Sequence, residues 1–394
     1  MAEFNPKEGL NINEYNLNID AKYYNTLNID AFSRMMKDPS YCYKFYWLEA
    51  IVKLISKGIT ETTFEEVIDE MICNAWYSVR EFHIHLSGIS ADGQVTDGLE
   101  RAILTLSELS NLSASASEVE IKNSINDFSQ ELKKAKEQLT NMVPYRALAS
   151  FFDKSGNAAE WGSPRRMVAY IEKINNTILL PYTLGESSKL KKEIYLQPAW
   201  VKMIQDNTVA ILGWIQYEKV KWLQNNNPEV PGLVYKLIPM DEKMRKLGHV
   251  RKLWEGILDL TDIKDVFTGE NVQAENYDVD HFIPWSFVMN DELWNLMPMD
   301  SSLNSSKSNK LPKWDPFFER FAENQYLLYG FIHDKVGIHK LFEGCYRDNL
   351  HSIWASQELY RKGNSKETFY NILQKNMQPV YDSAKRQGYE IWNR

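Results

Sequence analysis

Apolar positions in this chain recur mostly at three and four residues, the helical period, with a single stretch of strand-like alternation in the second half. From "YCYKFYWLEAIVKLISKG" through "TFEEVIDEMICNAWYSVREFHIHL" the period predicts helix over residues 31–87, with Gly58 ending the first run. In "SASASEVEIKNSINDFSQELKKAKEQL" the stripe is Val119, Ile121, Ile125, Phe128 and Leu132. Ser115, three before Glu118, gives a capping-box signal, and this helix is expected to run to near Pro144. "ILLPYTLGESSKLKKEIYLQPAW" predicts partly extended chain, "TVAILGWIQYEKVKWLQ" a long helix, and "NNNPEVPG" at 225–232 its end. After "LPKWDPFF" the helical period returns in "FFERFAENQYLLYGFIHDK" and "ETFYNILQKNMQPVYDSAKRQGYEIW". An echo, "YNLNID" at 15–20 and "YNTLNID" at 24–30, is too little for a repeat array and reads as a tail or strand packed on something else.

The alternation lies just before and within "YDVDHFIPWSFVMNDELWNLMPMDSSLNSSKSNKLP", residues 277–312. "DVFTG" and "YDVDHF" flank a Gly-containing turn, which predicts an antiparallel hairpin, and Pro284 stops the second strand. Asp280 and His281 would leave a regular strand on opposite faces, so their convergence requires the strand to end or twist there. "MDSSLNSSKSNKLP" opens on Asp300 and Ser301 as cap candidates and is limited by Pro312, which predicts a short helix with Asn304 and Lys307 on one face. The expected fold is therefore mainly α, with a small ββα module embedded in the C-terminal half. Along the chain this gives a tail at 1–30, an acidic helical region at 31–144, a mixed, mostly helical region at 145–262, the ββα module at 263–313, and a helical region at 314–394.

Charge sharpens the picture. The net charge is −8, but residues 1–150 carry 14 Lys/Arg against 22 Asp/Glu, whereas the rest of the chain is balanced. A surface for polyanions is thus expected only in the later part. Within it, "KMRKLGHVRKLW" at 243–254 has five basic residues and no acid, and it is the best candidate for phosphate-backbone contact, a solvated helix face being the plain alternative. Lys133, Lys134 and Lys136, flanked by Glu131 and Glu137, read as a solvated face, and Trp214, Tyr217 and Trp222 as core or interface aromatics. His83, His85, His333, His339 and His351 lack ligand spacing. The three cysteines, Cys42, Cys73 and Cys345, suggest neither disulfides nor a zinc site. With no leader-like start and no long apolar run, a cytoplasmic location without membrane contact is expected.

The polar residues of 278–307 suit one chemistry. Phosphodiester hydrolysis needs an activated water and a cation to neutralise developing charge. A neutral His281 can take the proton, Asp280 and Asn304 offer hard oxygen ligands for Mg²⁺ or Mn²⁺, and Lys307 offers a point charge to phosphate oxygens.

At "YDVDHFIPWSF", "LWNL" and "NSSKSNKLP", in this order and spacing, the chain resembles the ββα-metal HNH endonucleases, and it is similar in particular to the HNH domain of RNA-guided CRISPR nucleases. The resemblance implies Asp280 as first metal ligand, His281 as general base, Asn295 as the Asn that braces the loop, Asn304 as second metal ligand, Lys307 at a position often basic in the family, and Asp278 as a second acid. "FTGENV" stands where many members carry a CxxC zinc knuckle. The cysteines are missing here, so no structural zinc is expected and Phe267, Trp285, Phe287 and Trp294 should brace the module by packing. No second nuclease signature or arginine-rich helix precedes the motif, so a guide RNA is not implied. An HNH module within a larger helical protein is similar in architecture to bacterial defence and restriction nucleases. The resemblance therefore implies a DNA substrate. The acidic N-terminal half is compatible with a protein partner, such as an ATPase or sensor subunit, or with a homo-oligomer. A catalytically silent HNH scaffold serving a larger complex is the competing expectation.

Overall fold

The computed structural model describes residues 17, 19–37, 39, 41–87, 95, 97–152, 163–174, 177–237 and 245–393, so half of the first echo, Tyr15, Asn16 and Asn18, and part of the basic cluster, Lys243 and Met244, lie outside the described residues. The described chain is mostly helical, with its strands in small sheets. It divides into two compact units, residues 1–80 with 84–227 and residues 81–83 with 228–394. The division falls inside the region expected at 145–262, at the "NNNPEVPG" turn. No helix among the described residues is long and apolar enough to cross a membrane.

In the first unit, α1 (Tyr43–Ser56) buries nearly every side chain of its middle, and Gly58, at φ +82°, turns the chain out of it. The break expected at Gly58 is followed by a short strand, β1 (Glu61–Thr63), before α2 (Phe64–Phe82). The strand exists because it has a partner: it pairs antiparallel with β3 (Glu193–Leu196), which also pairs with β2 (Tyr182–Leu184), the segments expected to be extended. Residues 20–30 form helical turns rather than a strand, and they bury Tyr23, Leu27 and Ile29.

Three local expectations need correction. After α3 (Gly98–Leu109), the capping box is formed by Ser117 and Glu120, not by Ser115 and Glu118. The helix it opens is also two helices, α4 (Glu118–Asp127) and α5 (Ser129–Thr140), broken at Phe128 with no Gly or Pro to announce it. Lys136, read as solvated, points inward on α5 to Asp69 at 2.7 Å and Glu65 at 2.8 Å; Lys133 and Lys134 are exposed. The acids on α2 decide this, because a buried ammonium is tolerated only with partners. α6 (Pro164–Ile174) and α7 (Pro198–Asp206) follow, and the long α8 (Thr208–Asn226) packs on α1, where Lys219 and Glu49 form a buried pair at 2.8 Å. Trp214 is buried against Phe32, and Trp222 donates to the Leu86 carbonyl, whereas Tyr217 is partly exposed.

The second unit builds one core from α9 (Gly248–Leu258), β4 (Tyr277–His281), β5 (Leu296–Asp300), α10 (Ser301–Lys307), α11 (Trp314–Asp334), α12 (Val336–Asn349) and α13 (Lys366–Arg386). Phe282, just past β4, is ringed by Trp314, Phe318 and Phe321, and Phe267 meets Phe317 and Trp392 edge-on. The ββα segment and the helices after it therefore share a single interior.

The hairpin is not the expected one. β4 pairs with the downstream β5, from Tyr277 opposite Asp300 to His281 opposite Leu296. "DVFTGENV" instead forms a tight turn closed by an isolated bridge between Lys264 and Asn271. Asp265 organises it: one carboxylate oxygen accepts from the Phe267 and Thr268 amides at 2.9 and 3.0 Å, and the other accepts from the Asp300 amide at 3.2 Å. β5 was hidden by its sequence, "LMPMD", because Pro298 argues against a strand. In a two-stranded sheet each strand is an edge, where the missing N–H costs little.

Candidate active site

β4 and α10 assemble the acidic face. Asp300 caps α10 by accepting from the Ser302 and Leu303 amides, which fixes the helix against the end of β5. Side chains of like parity on β4, Asp278 and Asp280, then face α10. Asn304 Nδ2 donates to Asp278 Oδ2 at 3.2 Å, and Lys307 Nζ stands 2.9 Å from Asp280 Oδ2. Asn304 and Lys307 thus share one helix face. Lys307, however, is buried with Asp280, and its ammonium donates to the His281 carbonyl at 2.7 Å. The expected contact of Lys307 with phosphate is not what this side chain makes, since burial commits it to Asp280 and the strand end.

His281 is the last residue of β4 and is buried. Its side chain takes its partners from the following loop and from Arg245, so the structure does not place it among the α10 contacts of Asp280. Nε2 lies 3.2 Å from the Asn290 carbonyl and 3.1 Å from Asp291 Oδ1, and Nδ1 lies 3.4 Å from Arg245 Nη2. The carbonyl can only accept and the guanidinium can only donate, so the proton belongs on Nε2 and the lone pair on Nδ1. Burial lowers the imidazole's proton affinity below its ordinary value, with Asp291 pulling the other way. The neutral ring needed for a base is therefore the favoured form at neutral pH.

The loop is held by Asn295, which is wholly buried. Its Oδ1 accepts from the Ile283 amide and its Nδ2 donates to the Ile283 carbonyl, both at 2.8 Å. This two-point clamp fixes the reversal after β4, so Asn295 braces the chain rather than reaching toward a reactant. The aromatic packing expected in place of a zinc knuckle is present: Phe267 against Phe317 and Trp392, Phe287 against Tyr389, and Trp294 against Trp354. Trp285 is used differently, lying under the Arg245 guanidinium at 5.0 Å.

The donors fit a hard divalent cation. Asp278 and Asp280 offer carboxylate oxygens, and Asn304, with its NH₂ engaged, offers the amide oxygen. Asp280 Oδ2 is buried beside the Lys307 ammonium at 2.9 Å. Among the described residues no group of three or more His, Cys, Asp or Glu is arranged to hold an ion, so the candidate set is this mixed one.

Sequence reasoning missed Asp291 and the specific role of Arg245. Asp291 follows Met289, a residue at φ +55° that turns the loop back toward the strand end, and nothing in "VMNDEL" signals that reversal. In the basic cluster most described side chains have acidic partners: Arg245 with Asp291, Lys246 with Asp348, and Arg251 with Asp278 at 3.7 Å. The other histidines stay outside the site, as His85 pairs with Glu100, His333 binds the Tyr360 carbonyl and His339 that of Ile332, and the His351 amide donates to Glu292.

Residues 265–313 match the family model described as HNH endonuclease. No curated protein and no solved structure matches the chain.

Proposed function

Because the chain carries an HNH endonuclease module at residues 265–313, we propose that it is a metal-dependent nuclease that hydrolyses phosphodiester bonds of DNA. The observation that carries this reading is the pairing of an oxygen-rich face, Asp278, Asp280 and Asn304, with a neutral histidine at the end of the same strand. Asp278, Asp280 and Asn304 would hold Mg²⁺ or Mn²⁺, which supplies charge neutralisation at the phosphate and leaving oxygen. His281 takes a proton from water through Nδ1. The Asn290 carbonyl keeps the Nε2 proton in place, and Asp291 stabilises the imidazolium that forms, a general-base contribution of about 10²–10⁴-fold. Lys307 holds Asp280 and the His281 backbone in register, and Asn295 fixes the loop that carries Asp291.

The setting of the module in a larger helical chain supports a role in bacterial anti-phage defence or restriction, in the cytoplasm. The acidic first 150 residues support control by a protein partner or a second copy. A silent scaffold would have no need of a neutral base beside an oxygen donor set.

The test is incubation of the purified protein with duplex DNA, single-stranded DNA and RNA, each with Mg²⁺, Mn²⁺ or EDTA. Metal-dependent cleavage of DNA, lost in His281→Ala, is the expected result. Equal cleavage by wild type and His281→Ala would overturn the mechanism.

A further inference from the structure

Arg245 sits on the nitrogen that the hydrolysis needs free. Its Nη2 lies 3.4 Å from His281 Nδ1, its Nε 3.5 Å from Asp291 Oδ1, and its guanidinium 5.0 Å from the Trp285 ring centre. A guanidinium is always protonated, so toward Nδ1 it can only donate. While that contact stands, the lone pair is covered and no water can pass it a proton.

The contact is also built to be broken. Both polar distances are long for charge-assisted hydrogen bonds, which run at about 2.7–2.9 Å. The side chain is 39% exposed, so solvent and ligands reach it, whereas His281 and Asp291 are almost wholly enclosed at 2% and 4%. Asp291 gives Arg245 one carboxylate oxygen at 3.5 Å, and that same oxygen faces His281 Nε2, so among the described residues the fork has no two-pronged partner. A phosphodiester offers one, with two anionic oxygens spaced to match. The Asp280 carboxylate does not compete for Arg245, being engaged by Lys307.

We propose that Arg245 is a substrate-released latch: in the free protein it covers the base nitrogen of His281, and a DNA phosphate taken up by the same guanidinium uncovers it. This rests on the reading of His281 as the general base. The consequence is a site that is quiet until a phosphate is in place, because one side chain both senses the substrate and frees the base.

Two measurements test it, one of which needs no activity. In ¹⁵N-histidine-labelled protein, with the His281 signals identified by their loss in His281→Gln, the Nδ1 resonance is followed with and without a short duplex DNA in EDTA. The expected result is that DNA moves the wild-type Nδ1 resonance toward the position that Arg245→Ala already shows without DNA. Identical Nδ1 resonances in wild type and Arg245→Ala, or no movement on saturating the wild type with DNA, overturns the latch. In steady-state cleavage, Arg245→Ala is expected to raise KM about tenfold to a hundredfold, the worth of a charged hydrogen bond, while kcat holds or rises. A fall in kcat at unchanged KM overturns the proposal, since it would mean that Arg245 acts on the transition state. If the wild type cuts nothing, the hydrolysis reading fails by itself, and the resonance measurement still decides whether Arg245 covers Nδ1.

Discussion

Lys236 is wholly buried, and among the described residues no carboxylate lies beside it. Its ammonium donates to the Phe287 carbonyl, and the rings of Phe287 and Phe82 lie 5.0 and 5.6 Å away. Burial pulls its pKa down from 10.5 to about 7. The folded chain therefore holds the neutral amine above about pH 7, while the unfolded chain stays protonated up to 10.5. Between these values folding expels a proton, so stability rises with pH by about 1.4 kcal/mol per pH unit, and below the window the dependence is flat. At pH 7 the cost of keeping this lysine inside is on the order of 4 kcal/mol. Lys236→Met keeps the volume and removes the charge, forgoing one hydrogen bond worth ~1 kcal/mol. The variant should then be the more stable by roughly 3 kcal/mol at pH 7, an advantage that shrinks to roughly 1 kcal/mol by pH 9. Urea unfolding of both proteins at the two pH values measures it directly. A variant that is less stable than wild type, or a difference that does not change with pH, would refute the reasoning and show that the two rings and the carbonyl hold a charged lysine.

Asn295→Ala strips both partners from the Ile283 amide and carbonyl, each buried loss costing about 1–3 kcal/mol, so thermal melting should fall sharply and cleavage with it. Glu49→Ala leaves Lys219 buried without its counter-charge and should cost about 3–5 kcal/mol in chemical denaturation. The burial that raises the Glu49 pKa is outweighed by Lys219 and Lys53, which hold it low overall. That contribution is present above the ordinary carboxylate range and disappears as pH falls through the depressed value, so the gap between wild type and Glu49→Ala should narrow in acid. Asp280→Asn should abolish the calorimetric heat of Mg²⁺ or Mn²⁺ binding, and an unchanged heat would remove Asp280 from the ligand set.

The site was legible where one residue type at one spacing has few uses. Asp280, His281, Asn295, Asn304 and Lys307 stand within 28 positions and are brought to one strand end, its loop and one helix. What was illegible depended on partners remote in sequence. The pairing of β4 with β5 was masked by Pro298, whose cost depends on the number of strands in the sheet. Lys136 turned inward because Asp69 and Glu65 lie on another helix. Asp291 reaches His281 only through a left-handed residue that no glycine marks. Local pattern carried the elements, and long-range pairing decided their edges.

The shared interior of the second unit sets how much chain the HNH module at residues 265–313 needs in order to fold. Phe282 and Phe267 are covered by side chains from α11 and by Trp392, and the Tyr381 hydroxyl of α13 donates to the Pro312 carbonyl at 2.7 Å. A gene fragment ending at the edge of the recognisable motif would lack the wall of its own core. The piece that must fold together therefore extends well beyond residues 265–313, into the helices that follow them.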